Sequence, residues 1–412
     1  MNQQMRRDAE EIALSAIAAV KPDEAVRRAL SGFHPEGRVF LVSVGKAAWQ
    51  MTRAAVRMLA RPLDGGVVIT KYGHVLGEIP GVACYEAGHP VPDENSFHST
   101  QSVLDMTREL LPSDTVLFLL SGGGSALFEK PLVPPEELRD ITQQLLACGA
   151  DIVEMNAIRK RLSAVKGGRF AQWCAPAKME TVVLSDIVGD PLDMIASGPA
   201  AADLSTCAQA LEIADKYRLR LSAAALECLN QETPKTVENV RTQVIGSVRE
   251  LCQAAKARCA ELGYRPQILT DRLGGEAREA GIMLARKLKE TPPGAGRIAL
   301  IAGGETVVHL TGSGLGGRNQ EIALAASEEL RGIKNAALIS VGSDGTDGPT
   351  DAAGGYADGD TFDTLLRKGI HVADILRNND AYHALEAADC LIRTGPTGTN
   401  VNDVTIALID WN

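Results

Sequence analysis

Short apolar runs recur along the chain and are separated by segments long enough to form helices. A continuous apolar run of this kind is typical of a parallel strand that is buried on both faces, because helices cover both sides of such a sheet. The pattern therefore predicts an α/β fold built on doubly wound parallel sheets. The runs cover residues 39–44, 66–70, 115–120, 181–184, 240–245, 267–270, 298–301, 306–310 and 336–341.

The length of the chain indicates more than one domain. Its 412 residues, 45% of them hydrophobic, exceed what a single core usually organises. The segment 231–238 contains Pro234 and separates a helical pattern from a new apolar run, so it is the best candidate for a boundary. We therefore predict two α/β domains, over residues 1–235 and 236–412.

Charge and cysteine content limit which partners the protein is expected to bind and which cellular compartment it is expected to occupy. Acidic residues outnumber basic ones by 52 to 42, which argues against nucleic acid or an anionic membrane surface as a partner. The eight cysteines include no CxxC pair and no Cys/His cluster at zinc spacing, as is typical of reduced cytoplasmic thiols. No apolar segment approaches the roughly 20 residues that span a bilayer. The sequence therefore predicts a soluble, cytoplasmic protein.

Lys46 follows the first apolar run and a single glycine, and it precedes a helical pattern. Ligands of doubly wound sheets bind beyond the carboxyl ends of the strands, so an ammonium group here could reach a phosphate. A lysine that only extends into solvent is the alternative. The spacing is not that of a P-loop, because Phe40 and Ala47 stand where its first glycine and its Ser/Thr would be.

A glycine turn follows the run 115–120 and consists of Ser121, Gly122, Gly123, Gly124 and Ser125. Such a turn can present several backbone N–H groups to a carboxylate or a phosphate. A tight turn that needs positive φ is the structural alternative, but the two flanking hydroxyl groups favour a binding role.

A basic segment over 155–168 reads as a helix and contains Asn156 and Lys166. One face of this helix could close over phosphates, although a solvated helix face explains the same pattern.

A second glycine-rich region begins with Gly303, Gly304 and Glu305 at the end of an apolar run. It continues through Gly312 and Gly314 to further candidate residues of the site, which are Gly316, Gly317, Arg318 and Asn319. Unpaired N–H groups at a helix start, next to an arginine fork, predict a phosphate site. The same glycines fit the dinucleotide fingerprint, so a nicotinamide enzyme is the rival interpretation.

Carboxylates follow two further runs. Asp190 could orient a hydroxyl nucleophile, and Asp344 could belong to a metal shell. Helix capping and turn formation are the structural alternatives, because Asp serves both routinely. Among the histidines, His89 lies in a Pro-rich loop, where a structural role is the simpler interpretation.

Seven motifs in this order make the chain resemble the glycerate 2-kinase family, whose C-terminal part is the MOFRL domain. The resemblance covers nearly the whole chain. The motifs are Ser43-Val44-Gly45-Lys46-Ala47, Gly88-His89-Pro90-Val91-Pro92-Asp93, Ser121-Gly122-Gly123-Gly124-Ser125-Ala126, Lys166-Gly167-Gly168-Arg169, Ser185-Asp186 with Gly189-Asp190-Pro191, Gly316-Gly317-Arg318-Asn319-Gln320-Glu321, and Ser343-Asp344-Gly345-Thr346-Asp347-Gly348.

The resemblance implies ATP-dependent phosphorylation of D-glycerate at its 2-hydroxyl group. It implies a larger Rossmann-like N-terminal domain and a smaller C-terminal α/β domain of MOFRL type, with the active site in the cleft between them. The active-site lysine and arginine of the family fall on Lys46 and Arg318. We expect Mg²⁺ to accompany ATP, and Asp190 to orient or deprotonate the hydroxyl group.

Some relatives of this family are labelled hydroxypyruvate reductases, so an NAD(P)-dependent hydroxypyruvate reductase is one alternative function. A non-catalytic pair of domains that senses a sugar phosphate is the other. The expected partners are small molecules, D-glycerate and ATP. Family members often carry basic residues where this chain has Ser313 and Leu315, which leaves the preferred nucleotide donor open. The sequence also leaves the oligomeric state open, a homodimer included.

Overall fold

The computed structural model describes residues 2–59, 61–185, 187 and 189–411. Its contacts divide the chain into two compact units. We call Pro22–Ser185 with Asp190–Ile245 the first unit, and Met1–Lys21 with Asp186–Gly189 and Gly246–Asn412 the second unit. The predicted domain bounds, 1–235 and 236–412, stay a prediction, because each of the two units consists of separate stretches of the chain.

The first unit contains a six-stranded sheet in the order β3-β2-β1-β4-β5-β6. The pairs β2/β3, β1/β2, β1/β4 and β4/β5 are parallel. This is the strand order of the Rossmann fold, and it reverses direction between β1 and β4. The strands are β1 (Val39–Val44), β2 (Gly65–Lys71), β3 (Ala83–Ala87), β4 (Thr115–Leu120), β5 (Lys178–Leu184) and β6 (Val240–Gly246).

The second unit contains a mixed six-stranded sheet in the order β11-β10-β9-β12-β8-β7. The pair β7/β8 is parallel, whereas β12 runs antiparallel to both β8 and β9. The α/β fold class is therefore confirmed, with a mixed second sheet in place of a parallel one. The strands are β7 (Arg265–Leu273), β8 (Arg297–Gly304), β9 (Ala336–Gly342), β10 (Gly354–Asp358), β11 (Leu391–Ile392) and β12 (Asp403–Asp410).

The helices lie where amphipathic or capped segments connect these strands. Asp93 and Asp151 each cap a helix, and their side chains accept the backbone N–H of the third helical residue, N3. In both helices the side chain of N3 accepts the backbone N–H of the capping Asp in return. The helices are α1 (Gln3–Ala19), α2 (Pro22–Ala29), α3 (Ala48–Met58), α4 (Glu94–Met106), α5 (Gly124–Leu127), α6 (Pro135–Ala147), α7 (Ile152–Arg161), α8 (Arg169–Cys174), α9 (Cys207–Lys216), α10 (Ala223–Leu229), α11 (Val248–Glu261), α12 (Ala277–Lys289), α13 (Arg318–Leu330), α14 (Thr361–Arg367), α15 (Val372–Asn378) and α16 (Ala381–Ala387).

The predicted strands differ from the observed ones in two ways. The run 306–310 forms no strand: Val307 makes one isolated bridge with Glu276, and Leu310 is 80% exposed. Conversely, β3, β10, β11 and β12 were not predicted, although the apolar core of β12, 404–409, is of the same type as the runs that were. Because β3 contains Glu86 and is mostly half-buried, a short apolar run is neither a necessary nor a sufficient sign of a strand.

The cores follow from this arrangement. In the first unit, β4 contributes Phe118, which packs with Phe128 and Phe170 at ring-centroid distances of 5.1–5.9 Å. A separate apolar cluster joins α6, α7, α9 and α10. In the second unit, α1 packs against α11 and β9.

No helix in the described part of the chain combines the length and the apolar character that crossing a membrane requires. The cytoplasmic location stays a prediction.

Candidate active site

The carboxyl ends of β1 and β4 meet at the point where the strand order of the first unit reverses. Lys46 lies here, with its N–H donated to the carbonyl of Gly122 at 2.9 Å. The next N–H, of Ala47, donates to the Ser121 hydroxyl at 3.0 Å. The Gly-Lys motif and the glycine turn therefore form one hydrogen-bonded structure.

The glycine turn leaves its N–H groups open. The backbone N–H groups of residues 122–125 donate to no described residue. Gly123 has φ +89°, and a Cβ there would lie 3.0 Å from the His89 ring and 3.4 Å from Lys46 Cε. Glycine is thus required both by the left-handed backbone and by the close side chains. The result is a row of backbone donors without described partners beside a lysine.

Cationic groups surround this turn. Lys71 ends β2, and His89 follows β3, the neighbouring strand. His74 donates through Nδ1 to the Lys46 carbonyl at 2.9 Å, since a carbonyl can only accept. The ammonium groups of Lys46 and Lys71 form no ion pair with a described residue. Two unpaired charges at one edge favour an anionic ligand.

Burial lowers the pKa of the His89 imidazole, and the charges of Lys46 and Lys71 lower it further. These effects favour the neutral ring, which is able to form hydrogen bonds in the site.

A chain of hydrogen-bonded polar side chains begins at Ser125 of the glycine turn. The Ser125 hydroxyl lies 3.0 Å from that of Ser197, which donates to Asn156 Oδ1 at 2.9 Å. Ser197 has φ +61° and Ala196 φ +52°, a strained backbone for residues other than glycine. The sequence analysis named Asn156 but missed Ser197, because nothing in the local pattern marks a serine in this conformation.

The basic segment 155–168 does not present a single charged face. Lys160 is buried between Asp193 and Asp203, each at 3.1 Å. Lys166 is fully buried and lies 2.5 Å from Glu129, and burial lowers its pKa to about 8. We therefore leave Lys166 out of the site proposed below.

Asp190 lies in the left-handed region with φ +52°. Its Oδ1 atom is buried and makes no hydrogen bond with a described residue. Buried polar atoms without partners are rare in folded proteins, and they are often reserved for a ligand. Its neighbour Asp186 lies outside the described residues.

Arg318 begins α13 in the second unit and is held by two carboxylates. Its Nε and Nη2 donate to Asp403 at 2.5 and 3.1 Å, and its Nη1 donates to Glu305 at 2.8 Å. Burial lowers the pKa of Arg318, but the bonds and charges of Asp403 and Glu305 outweigh burial and raise it overall. The guanidinium is a fixed cation whose planar fork is largely occupied.

Asp403 is the first residue of β12, where it pairs with Gly304 of β8 on one side and Gly342 of β9 on the other. Gly303 and Gly304 therefore end their strand directly beside the partner of Arg318. The sequence analysis missed Asp403 because it missed β12. The apolar run 404–409, preceded by an acid, was the available signal.

Residues of the second unit bind the backbone N–H groups of the second glycine run, so these groups are not free for a ligand. The N–H groups of Thr311 and Gly312 donate to Asn379 Oδ1, and those of Gly314 and Leu315 donate to Asn378 and Asp380. Only glycine permits this close approach. A dinucleotide or phosphate cradle at these positions, the sequence-based interpretation, would require α15 and α16 to move away.

The start of α13 already holds an anion. The Asp347 carboxylate accepts the backbone N–H groups of Asn319 and Gln320 at 3.1 and 2.9 Å. A Cβ on Gly317 would lie 2.3 Å from Asp347 Cγ. Asn319 is 1% exposed. The start of α13, which the sequence predicts as a phosphate site, is therefore occupied by the Asp347 side chain. The roles of Gly316, Gly317 and Asn319 in ligand binding stay predictions.

A pH prediction follows from this buried carboxylate. Burial raises the pKa of Asp347 from 3.8 to about 6. Between about pH 4 and pH 6 the folded state then binds more protons at Asp347 than the unfolded state does, so stability falls as pH rises through this window. We expect the Tm of wild type minus the Tm of Asp347→Asn to fall from pH 4 to pH 6.5. A difference in Tm that stays constant over this range would contradict a raised pKa of Asp347.

Asp344 follows β9 and accepts the Thr346 backbone N–H through Oδ1 at 3.0 Å. Among the described residues, no group of three or more His, Cys, Asp or Glu side chains is placed to hold a metal ion. Mg²⁺ nevertheless fits such a surface, because it commonly binds through one or two carboxylates, waters and substrate phosphates. Asp344 remains a candidate for that single carboxylate.

The fold is that of a two-unit α/β protein, with a Rossmann-ordered sheet in the first unit and a mixed sheet in the second. In the first unit, the glycine turn without described partners and the unpaired lysines favour an anionic ligand.

Comparison with known proteins identifies the family. A family described as "Domain of unknown function (DUF4147)" matches residues 8–230, and the MOFRL family matches residues 298–403. The D-glycerate 2-kinase of Thermotoga maritima is 51% identical over 411 residues, which is 98% of each chain. An Agrobacterium vitis relative that carries a hydroxypyruvate reductase name is 39% identical over 415 residues, covering 96% of this chain and 92% of its own.

The crystal structure of glycerate kinase from Thermotoga maritima superposes with a TM-score of 0.95 at 50% identity, covering 99% of this chain and all of that one. The chain belongs to the glycerate 2-kinase family, and the resemblance inferred from its motifs is confirmed.

Proposed function

We propose that the protein is a D-glycerate 2-kinase, which transfers the γ-phosphoryl group of ATP to the 2-hydroxyl group of D-glycerate. The observation that carries this proposal is the near-full-length similarity to a D-glycerate 2-kinase. The open glycine turn beside Lys46 supports it, because phosphoryl transfer requires positioning and positive charge more than covalent chemistry.

In this reaction the C2 oxygen attacks the γ-phosphorus while the bond to the β,γ-bridging oxygen breaks. ADP leaves, and the hydroxyl proton passes to a base. We assign the base to Asp190, whose Oδ1 is buried without a partner among the described residues. Lys46 stabilises the charge that develops on the transferring group, and the N–H groups of the glycine turn hold an anionic end of one substrate.

Arg318 is proposed as a second cation that binds a substrate phosphate. Its two partners differ in exposure, since the Glu305 side chain is 49% exposed and the Asp403 side chain 7%. An incoming phosphate would displace Glu305 from Nη1 and leave the Asp403 pair intact. Glu305 thus keeps the guanidinium in place until substrate arrives.

The reductase alternative has less support. Its dinucleotide fingerprint depends on free N–H groups in the second glycine run, and those of residues 311, 312, 314 and 315 are bound by Asn378, Asn379 and Asp380. The fingerprint also follows no strand directly, since β8 ends at Gly304.

The test is an assay of the purified protein with ATP, MgCl₂ and D-glycerate, in which ADP is measured and the product is resolved by ³¹P NMR. We expect ADP and 2-phosphoglycerate in equal amounts. A parallel sample receives NADH and hydroxypyruvate. Loss of NADH without ADP formation in the first sample would establish the reductase instead.

Activity should also depend on a divalent cation. Mg²⁺ bound to the ATP phosphates would neutralise part of their charge, so EDTA should abolish ADP formation and added Mg²⁺ should restore it. Asp344→Asn should raise the Mg²⁺ concentration needed for half-maximal activity several-fold, by about 1 kcal/mol of lost binding. The exposed Asp374→Asn serves as the control. An unchanged Mg²⁺ titration of the Asp344 variant would remove this residue from the site.

A further inference from the structure

A cavity of about 320 Å³ lies next to the glycine turn in the first unit. It is enclosed by the loop that follows His89, by the start of α4 and by α6 and α7. Leu138 and Met155 form its floor and are 4% and 8% exposed. Both belong to the apolar cluster of α6, α7, α9 and α10, so the floor is fixed by a packed core.

The rim of the cavity is apolar as well. Val91 is 57% and Leu146 is 62% exposed, and both line the opening. Large apolar side chains around a concave surface of this size are typical of a small-molecule site. The rim also carries Phe97, whose ring suits contact with a flat aromatic ligand.

Arg159 connects this cavity to the glycine turn. It lines the cavity, and its Nη2 lies 3.4 Å from the Ser125 carbonyl. It forms no direct ion pair with a described residue. Burial lowers its pKa, and the charge of Glu129, which is itself paired with Lys166, offsets part of that effect. An arginine stays charged at pH 7, so this guanidinium is able to bind an anion from outside the chain.

Arg159 therefore links the apolar cavity to the glycine turn through Ser125, and the turn is in contact with His89 and Lys46 at Gly123. The loop after β3 contributes to both ends of this connection. His89 contacts the glycine turn, and Val91, two residues later, lines the cavity. The occupant must carry a flat, largely apolar part at one end and several negative charges at the other.

D-glycerate does not fit this description, because it has three carbons, two hydroxyl groups and one charge. A nucleoside triphosphate does. We propose that the cavity binds the base and ribose of the phosphoryl donor, and that its phosphates pass Arg159 and the glycine turn to end at Lys46. This assignment rests on the proposed kinase function, and it decides which of the two substrates the glycine turn holds.

The test measures binding by the full-length protein, with calorimetry at 0.15 M salt, of ADP and of pyrophosphate as separate probes. Val91→Glu and Leu146→Glu place a charge at the apolar end only. Each should weaken ADP binding at least about tenfold and leave pyrophosphate binding within about twofold, since charges beyond roughly 8 Å are screened. Arg159→Gln should weaken both probes.

Leu111→Glu is the matched control, because Leu111 is 55% exposed in the same unit and does not line the cavity. It should bind both probes as wild type does. Unchanged ADP binding in both rim variants would overturn the proposal. A raised KM for D-glycerate with unchanged ADP binding would also overturn it and assign the cavity to the acceptor.

These outcomes are separable from failure of the kinase proposal. If the rim variants lose ADP binding but wild type forms no ADP from ATP and D-glycerate, the nucleotide site stands and the assigned reaction is wrong. If wild type is an active kinase and the rim variants bind ADP normally, the reaction stands and the cavity assignment is wrong.

Discussion

Replacing Lys46 by methionine is expected to lower kcat by at least about 10²-fold and to change the KM values of ATP and D-glycerate much less. The reason is that an ammonium beside an open row of N–H groups stabilises charge that grows in the transition state. Lys46 forms no ion pair with a described residue, so the variant should fold with an unchanged Tm. Steady-state kinetics and a thermal melt measure the two effects.

Lys71→Met is the matched control for Lys46. Lys71 belongs to the same edge of the sheet and lies next to β3, so it contributes to the positive field without lying beside Gly123. We expect kcat to fall less than about tenfold in this variant. Equal losses in the two variants would indicate that the field as a whole acts, and a normal kcat in Lys46→Met would remove Lys46 from the mechanism.

Arg318→Met is expected to lower both activity and stability. Removing the guanidinium takes away a cation worth at least about 10² in kcat by comparison with other phosphoryl-transfer arginines. It also leaves Asp403, which is 5% exposed, without its bidentate partner. Breaking a buried pair on one side costs about 3 kcal/mol, so a clear fall in Tm should accompany the loss of turnover.

The double variant Arg318→Met with Asp403→Asn separates the two effects. It removes the unpaired buried charge, so most of the Tm should return while kcat stays low. Arg318→Lys should recover little activity, since it keeps the charge but loses the planar fork. Recovery of both Tm and kcat in the double variant would show that Arg318 acts only as a structural partner of Asp403.

The inner strands of the first sheet could be predicted closely, because they are continuous apolar runs bounded by glycine or polar residues. The structure gives β1 and β4 the same bounds, 39–44 and 115–120, that the sequence predicts. The edge strand β3 was not predicted, since it contains Glu86 and is mostly half-buried. The apolar run of β12 is recognisable in the sequence, but its antiparallel place between β8 and β9 depends on pairing between residues 61 to 113 positions apart, which local pattern does not encode.

The two glycine-rich runs illustrate what the sequence alone does not predict about a site, namely which backbone N–H groups are already bonded by other parts of the chain. Both runs predict accessible N–H groups, and the residues within them do not distinguish the two. The difference lies in what packs against them: Asn378, Asn379 and Asp380 bind the second run, whereas the N–H groups of residues 122–125 meet no described partner. Lys166 is a similar case, since its buried partner Glu129 is 37 residues away along the chain.

Helix α1 and the sheet it packs against are separated in sequence by the whole of the first unit. Residues 22–245 must therefore leave the ribosome before α11 and β9 can cover the apolar stripe that includes Ile12 and Ile17, which are 0% and 2% exposed in the finished fold. At about 5–20 residues per second, that interval is roughly 10 to 45 s. During translation the apolar stripe of α1 thus stays without these packing partners until the second unit is synthesised.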